Sequence, residues 1–230
     1  MTKASTKKKP PPIIAPPTAA VEFFYDLEQR SETCMELRRG IPTASKFSAI
    51  MAEGRDGTDS LTRQSYMEIL AGELLSGRPA ETFQSEQMRR GIEMEAAARE
   101  HYAKSRFDFL KPVGFVRRKL PSGHFVGCSP DSQVGGRKGL EIKTLAPHLI
   151  VKLLNGAGGG FPPRHRAQVQ GTMMVTGWEE MDLVLFYEGM YAPTFTVARD
   201  EHYIRELSNA VEVFDFDLHK LVEKIRSMGK

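Results

Sequence analysis

Three observations in the sequence predict an α/β fold. Runs at 112–120, 124–128, 139–145, 181–187 and 193–198 have the length and the β-branched and aromatic content of strands. Segments of helical period lie between and after them, the longest over 201–228. A glycine-rich reversal, Gly135-Gly136-Arg137-Lys138-Gly139, has the residues of a tight hairpin ahead of the strand at 139–145.

The elements follow in chain order. Residues 1–20 hold Lys3, Lys7, Lys8 and Lys9 and a group of prolines, and read as a disordered arm, either a solubilising tail or an electrostatic tether to DNA. The remainder, 21–230, reads as a single domain. Residues 21–39 carry helical periodicity. Thr43-Ala44-Ser45 reads as a helix start, with Phe47, Ile50 and Met51 following. A polar loop spans 53–60. Leu61–Leu75 reads as a helix that stops near Gly77 and Pro79, and Ser85–Ser105 as another. After the three central strands come a short helix at 148–154 and a glycine run at 155–160. That run lacks the Gly-Lys-Ser/Thr ending of a phosphate loop and reads as a connection. A helix over 164–176 and two strands lead to the last helix. Its Ile204, Leu207, Val211, Phe214, Leu218, Leu221 and Ile225 alternate by threes and fours. That spacing fits a coiled-coil face or a helix packed on its own sheet, and the second reading is preferred.

Composition excludes several classes. No apolar run approaches the roughly 18 residues that cross a membrane. Cys34 and Cys128 are the only cysteines; they read as reduced thiols of a cytosolic protein and cannot form a four-cysteine iron–sulfur cluster. There is no HExxH motif and no Cys/His zinc spacing. The net charge is +3, and without the four N-terminal lysines the body is about −1, so overall basicity does not argue for nucleic acid. A DNA surface must come from clusters such as Arg38-Arg39, Arg89-Arg90, Arg117-Arg118-Lys119 and Arg164-His165-Arg166.

The chemistry concentrates at Ser129-Pro130-Asp131 and Leu140-Glu141-Ile142-Lys143. In a strand, alternate residues share a face, so Leu140 and Ile142 point to a core while Glu141 and Lys143 point away together. The hairpin brings Asp131 close to Glu141. Two carboxylates supply the hard oxygens that magnesium prefers, and the Ile142 carbonyl adds a neutral one. Glu95 completes the set directly or through water. On a helical wheel it falls within about 60° of Met88, Ile92 and Tyr102, on the stripe that faces the core. A carboxylate there needs a metal or an arginine partner. Lys143 would position or help deprotonate a water, or offset charge in the transition state. This is equipment for cutting a phosphodiester.

From Leu37 to about Trp178 the chain resembles the lambda-exonuclease (YqaJ-type) family of phage recombination nucleases, within the PD-(D/E)xK nuclease superfamily. Five blocks carry the resemblance in family order: Leu37 to Ser45, Gly91-Ile92-Glu93-Met94-Glu95, Cys128 to Asp131, Leu140 to Lys143 and Ala167-Gln168-Val169-Gln170. It implies a restriction-endonuclease-like three-layer fold, a mixed sheet flanked by helices. It implies Asp131 and Glu141 as metal ligands, Lys143 as the catalytic lysine, Glu95 as the helix carboxylate and Gln168 beside it. Arg38 and Ser45 match residues that hold a terminal 5′-phosphate, with Thr43 and Ser129 as further candidates. Arg38 offers a forked donor, and Thr43 and Ser45 open a helix.

Two positions, His165 and Cys34, depart from the pattern. His165 stands where tyrosine is frequent, and it can still stack or donate. Cys34 falls near an aromatic position of the prototype. Met88 lies where an apolar wedge into the DNA end would sit, or it packs in the core. The resemblance further implies a Mg2+-dependent exonuclease (Mn2+ substituting) that degrades the 5′-ended strand of duplex DNA, a homotrimeric ring, a single-strand annealing protein as partner, and the cytoplasm of a bacterial host. Its competitors are an endonuclease or Cas4-like nuclease of the same superfamily, and a non-catalytic DNA-binding module.

Overall fold

A computed structural model describes residues 20–54, 59–80, 86–106, 109–156 and 160–229, excepting the side chains of 86–88. The arm over 1–19 and the middle of the glycine run lie outside the described residues, as does the side chain of Met88. Eight strands are described: β1 (Val21–Phe24), β2 (Leu110–Pro112), β3 (Phe115–Lys119), β4 (Phe125–Cys128), β5 (Ser132–Val134), β6 (Lys138–Thr144), β7 (Glu180–Phe186) and β8 (Thr194–Ala198). Seven α-helices accompany them: α1 (Glu32–Arg38), α2 (Phe47–Ile50), α3 (Leu61–Ser76), α4 (Glu86–Arg106), α5 (Pro147–Asn155), α6 (Arg166–Thr176) and α7 (Glu201–Met228).

The strands form two sheets. A five-stranded sheet runs β2-β5-β6-β7-β8 and an antiparallel three-stranded sheet runs β1-β3-β4. In the larger sheet only β6 and β7 are parallel. A parallel pair needs a long crossover, and α5 and α6 supply it. Side-chain alternation then assigns the layers. Leu140 and Ile142 pack with Ala98 and Tyr102 of α4 on one face. Met181 packs with Val169 and Met173 of α6, and with the α7 seam, on the other. Helices on both faces of a mixed sheet give the expected three-layer fold.

Helix limits agree closely with the pattern for α3 to α7. α3 ends where Gly77 takes the left-handed conformation (φ 69°) and its N–H returns to the Glu73 carbonyl at 3.0 Å. Ser60 caps its start by accepting from the Arg63 amide. α7 starts at Asp200, whose carboxylate accepts from the amides of His202 and Tyr203. Its Ile204, Leu207, Val211, Phe214 and Leu218 are buried in the main core, so the seam packs within its own molecule.

Three expectations are corrected. Residues 21–39 are not one helix: Val21–Phe24 pairs antiparallel with β3, and only Glu32–Arg38 is helical. Pairing and the stacking of Phe23 on Tyr25 (5.5 Å) override the weak helical period there. The strand expected at 112–120 is two strands in different sheets, parted at Val113-Gly114. A Cβ on Gly114 would lie 1.9 Å from the Leu27 carbonyl oxygen, so the chain bends where another backbone touches it. The hairpin expected between Asp131 and Glu141 is formed by β5 and β6, with Gly135 at φ 60° in its turn. The helix start at Thr43 is a 3-10 turn, Ala44–Lys46, leading into α2.

Candidate active site

β6 carries the centre of the site. Its core-facing Leu140 and Ile142 fix the register, which turns Glu141 and Lys143 to the opposite face. The Lys143 Nζ lies 2.7 Å from Glu141 Oε1. Asp131 enters from the end of β5: its amide donates to the Leu140 carbonyl at 3.1 Å, and its Oδ2 accepts from the Ile142 amide at 2.5 Å. Two main-chain bonds therefore hold Asp131 beside Glu141, as the hairpin reading requires. Gln168, on α6, donates to Glu141 Oε1 at 2.5 Å. Glu141 is 5% exposed and Lys143 stays half-buried.

Glu95 approaches from α4. Its carboxylate takes the arginine partner that was one of its two expected fates: Arg99 Nη1 at 2.7 Å and Arg30 Nη2 at 3.5 Å. Arg99 also donates to the Asp131 carbonyl at 3.4 Å, so the helix is tied to the hairpin. Arg30 is the one non-glycine residue with positive φ (70°) among the described residues, a conformation costing about 1–3 kcal/mol. These groups line an open cleft of about 310 Å³ together with Tyr25, Ile92 and Asp131. The sequence reading missed both arginines. Arg99 was detectable, four residues from Glu95 on one helix face. Arg30 comes from a distant loop and leaves no local signal.

Electrostatics mark the cluster as short of positive charge. Burial, then the Glu141 and Glu95 carboxylates, raise Asp131 well above the ordinary carboxylate range, against the Ile142 amide and Lys143. Burial would lower Lys143, but Glu141, Asp131 and Glu95 outweigh it and raise the ammonium. Lys143 is thus a cation wedged among three carboxylates. His165, one turn before Gln168, is pushed down to about 4 by burial, by Lys143 and by Arg164, so its ring is neutral. Its Nε2 accepts from Arg164 Nε at 3.0 Å.

A second group lies beyond Cys128. Arg38 ends α1 and reaches Ser129 Oγ at 3.5 Å, with its guanidinium 5.8 Å from the centre of the Phe115 ring. Thr43 and Ser45 hydroxyls are 3.4 Å apart. The Gly127 amide donates to the Pro42 carbonyl (2.9 Å) and Thr43 bridges Gly127, which sets this turn beside β4. Arg38, Ser129, Thr43 and Ser45 are therefore neighbours, with Thr43 buried and Ser45 exposed. Cys128 sits between the two groups: burial and Glu141 push its thiol up, while Arg38 and Arg118 pull it down. Both cysteines are free and buried. Of the basic clusters, Arg117 is spent on Glu22 at 2.8 Å and Arg118 on the Val175 carbonyl at 2.9 Å.

The family model described as a YqaJ-like viral recombinase domain matches residues 34–179. The alkaline exonuclease LHK-Exo from Laribacter hongkongensis aligns with a TM-score of 0.75 and 25% identity, over 86% of this chain and 98% of that one. Its complex with dAMP aligns with a TM-score of 0.76 and 26% identity over the same shares. A phage-related exonuclease from Haemophilus somnus 129PT shares the fold at 17% identity and a TM-score of 0.57, over 83% of this chain and 99% of that one. No curated protein matches the chain significantly. Fold and site together define a nuclease of phage type. The chain belongs to the YqaJ-like viral recombinase family.

Proposed function

We propose that this nuclease is a Mg2+-dependent exonuclease that removes nucleotides from the 5′-ended strand of duplex DNA, leaving a 3′ single strand for recombination by annealing. The observation that carries the reading is the convergence of Asp131, Glu141, Lys143 and Glu95 in one cluster of interacting charges. The donor set fits a hard divalent cation: carboxylate oxygens from Asp131 and Glu141, the Ile142 carbonyl, and Glu95 directly or through water. Burial is the first cause of the upward pressure on Asp131, and the Glu141 and Glu95 carboxylates add negative charge that such a cation would neutralise. When bound, the ion supplies a more acidic water and neutralises charge on the phosphate.

The residues of the chain divide the remaining work. Lys143 is held protonated by its carboxylate neighbours, which favours positioning the water and offsetting transition-state charge over taking its proton. Gln168 fixes Glu141, and Arg99 fixes Glu95. Arg38, with Ser45, Thr43 and Ser129, holds the terminal 5′-phosphate through a forked cation and hydroxyl donors. His165 offers the DNA a neutral ring. A subsite that takes a terminal phosphate favours ends over interior bonds. The dAMP held by LHK-Exo is a nucleoside monophosphate, the unit that endwise cutting releases. The chain works as a homotrimer and passes its product to a single-strand annealing protein.

A time course with magnesium on end-labelled linear duplex tests this. Label at the 5′ end should leave first, and a closed circle should stay intact. Cutting of the circle, or first release from the 3′ end, rejects the proposal.

A further inference from the structure

A different group of side chains meets between the β3–β4 turn and α7. The turn between β3 and β4 is closed by the Leu120 amide on the His124 carbonyl at 2.8 Å, and it presents His124 to α7. From α7 come Asp215 and His219, four residues apart and on one face. His124 Nδ1 is 2.9 Å from Asp215 Oδ2, and His219 Nε2 is 3.4 Å from Asp215 Oδ1. The two imidazoles stack with centroids 3.4 Å apart. One donor atom from each of the three residues lies within 4.8 Å of the others.

Two features set this apart from an ordinary surface ion pair. Asp215 is 1% exposed, and its Oδ1 has no hydrogen-bond partner in a place where an unmet acceptor is costly. The stacking also brings the ligating nitrogens of two imidazoles together over that one buried carboxylate. We propose that His124, Asp215 and His219 form a second metal site, for a borderline divalent transition metal such as zinc. Two imidazole nitrogens and one carboxylate suit zinc, whereas the all-oxygen cleft suits magnesium.

The surroundings favour such a site. Ser122 Oγ donates to Asp215 Oδ2 at 2.8 Å and orients the carboxylate, as outer hydrogen bonds do around bound metals. Glu212 and Glu223 face the group, with Arg226 opposing them. A four-coordinate ion with bonds of about 2.0–2.1 Å places its donors roughly 3.4 Å apart, so the rings slide out of their stack to meet it. His124 is 42% exposed at its side chain, which gives it room to turn and leaves water access to the remaining position. Metal here would pin the β3–β4 turn to the C-terminal helix, sharing no residue with the nuclease cleft.

The test uses the full chain, stripped of metal and then saturated with magnesium so that the carboxylate cleft is occupied. Calorimetric titration with zinc should show one equivalent per chain, and cobalt should produce a visible d–d absorption band. His124→Gln and His219→Gln, checked for native folding by circular dichroism, should each weaken zinc by about tenfold or more and abolish the cobalt band. Asp131→Asn should leave both signals intact. The proposal is overturned if the unmodified chain takes up no zinc, if both histidine variants bind it as the unmodified chain does, or if Asp131→Asn alone removes it.

Discussion

Lys143 is the residue on which the proposed chemistry turns. It is a cation touching Glu141 and close to two more carboxylates. Lys143→Ala should abolish cleavage while DNA binding, measured by gel shift in calcium, changes less than about tenfold. Turnover at the unmodified rate in that variant removes Lys143 from the mechanism. Arg38 governs a different quantity. The native chain should digest 5′-phosphorylated ends faster than 5′-hydroxyl ends, and Arg38→Ala should remove the difference. Equal rates on both ends in the native chain would sink the phosphate subsite. Asp131 yields a stability prediction with a definite sign. Its folded-state value is raised above the ordinary 3.8, so the fold holds a proton that the unfolded chain releases more readily. Without metal, its contribution is fully present below 3.8 and is lost as pH rises toward the folded value. Asp131→Asn keeps an acceptor for the Ile142 amide and removes one of the crowded charges. At neutral pH and without metal it should melt higher; about 1 kcal/mol corresponds to about 2–4 °C for a chain of this size. A lower melting temperature contradicts the assignment of repulsion.

At the scale of elements, the site depends on how α6 seats. α6 carries Gln168 and follows His165, and it packs against the turn that bears Thr43 and Ser45. The contact is close at Gly171, where a Cβ would come within 2.4 Å of the Phe47 ring and 3.4 Å of Ala44. Gly171→Ala should destabilise by about 1–3 kcal/mol in urea unfolding and lower the cleavage rate on 5′-phosphorylated ends more than on 5′-hydroxyl ends. The element scale is also where the sequence was most and least legible. α3, α4, α6 and α7 declared themselves, because long amphipathic runs and caps such as Ser60, Gly77 and Asp200 are local signals. β1 and β2 did not. Each is three or four residues long and exists because a partner strand pairs with it, which no local pattern encodes. The site divides the same way. Asp131, Glu141 and Lys143 were readable from strand alternation and a hairpin, and Glu95 from its wheel. The 2.7 Å Arg99 contact was readable at helical spacing but missed, and Arg30, from a loop with positive φ, was not.

For the whole molecule, charge and shape limit what the chain does alone. The folded body is near neutral, and several arginines are engaged within it: Arg117 on Glu22, Arg63 on Asp59 and Asp217, Arg166 on Asp200. Holding the proposed duplex substrate would therefore fall to a few local groups, and an assembly that brings three copies of them together would strengthen the grip. α7 leaves Val213 and Phe216 exposed outside its buried seam. Light scattering behind size exclusion should give three chain masses for the native protein; a monomer at micromolar concentration rejects the ring.

The hydrogen bond from the Ile142 amide to Asp131 Oδ2 offers a reporter that needs no substrate. Because that amide proton points at one of the crowded oxygens, its chemical shift should track whatever occupies the carboxylate. Acid titration would move the resonance one way as the oxygen is protonated, and a cation would shift it differently. In a spectrum of isotope-labelled protein, a single backbone cross-peak could then follow loading and unloading of the centre in real time.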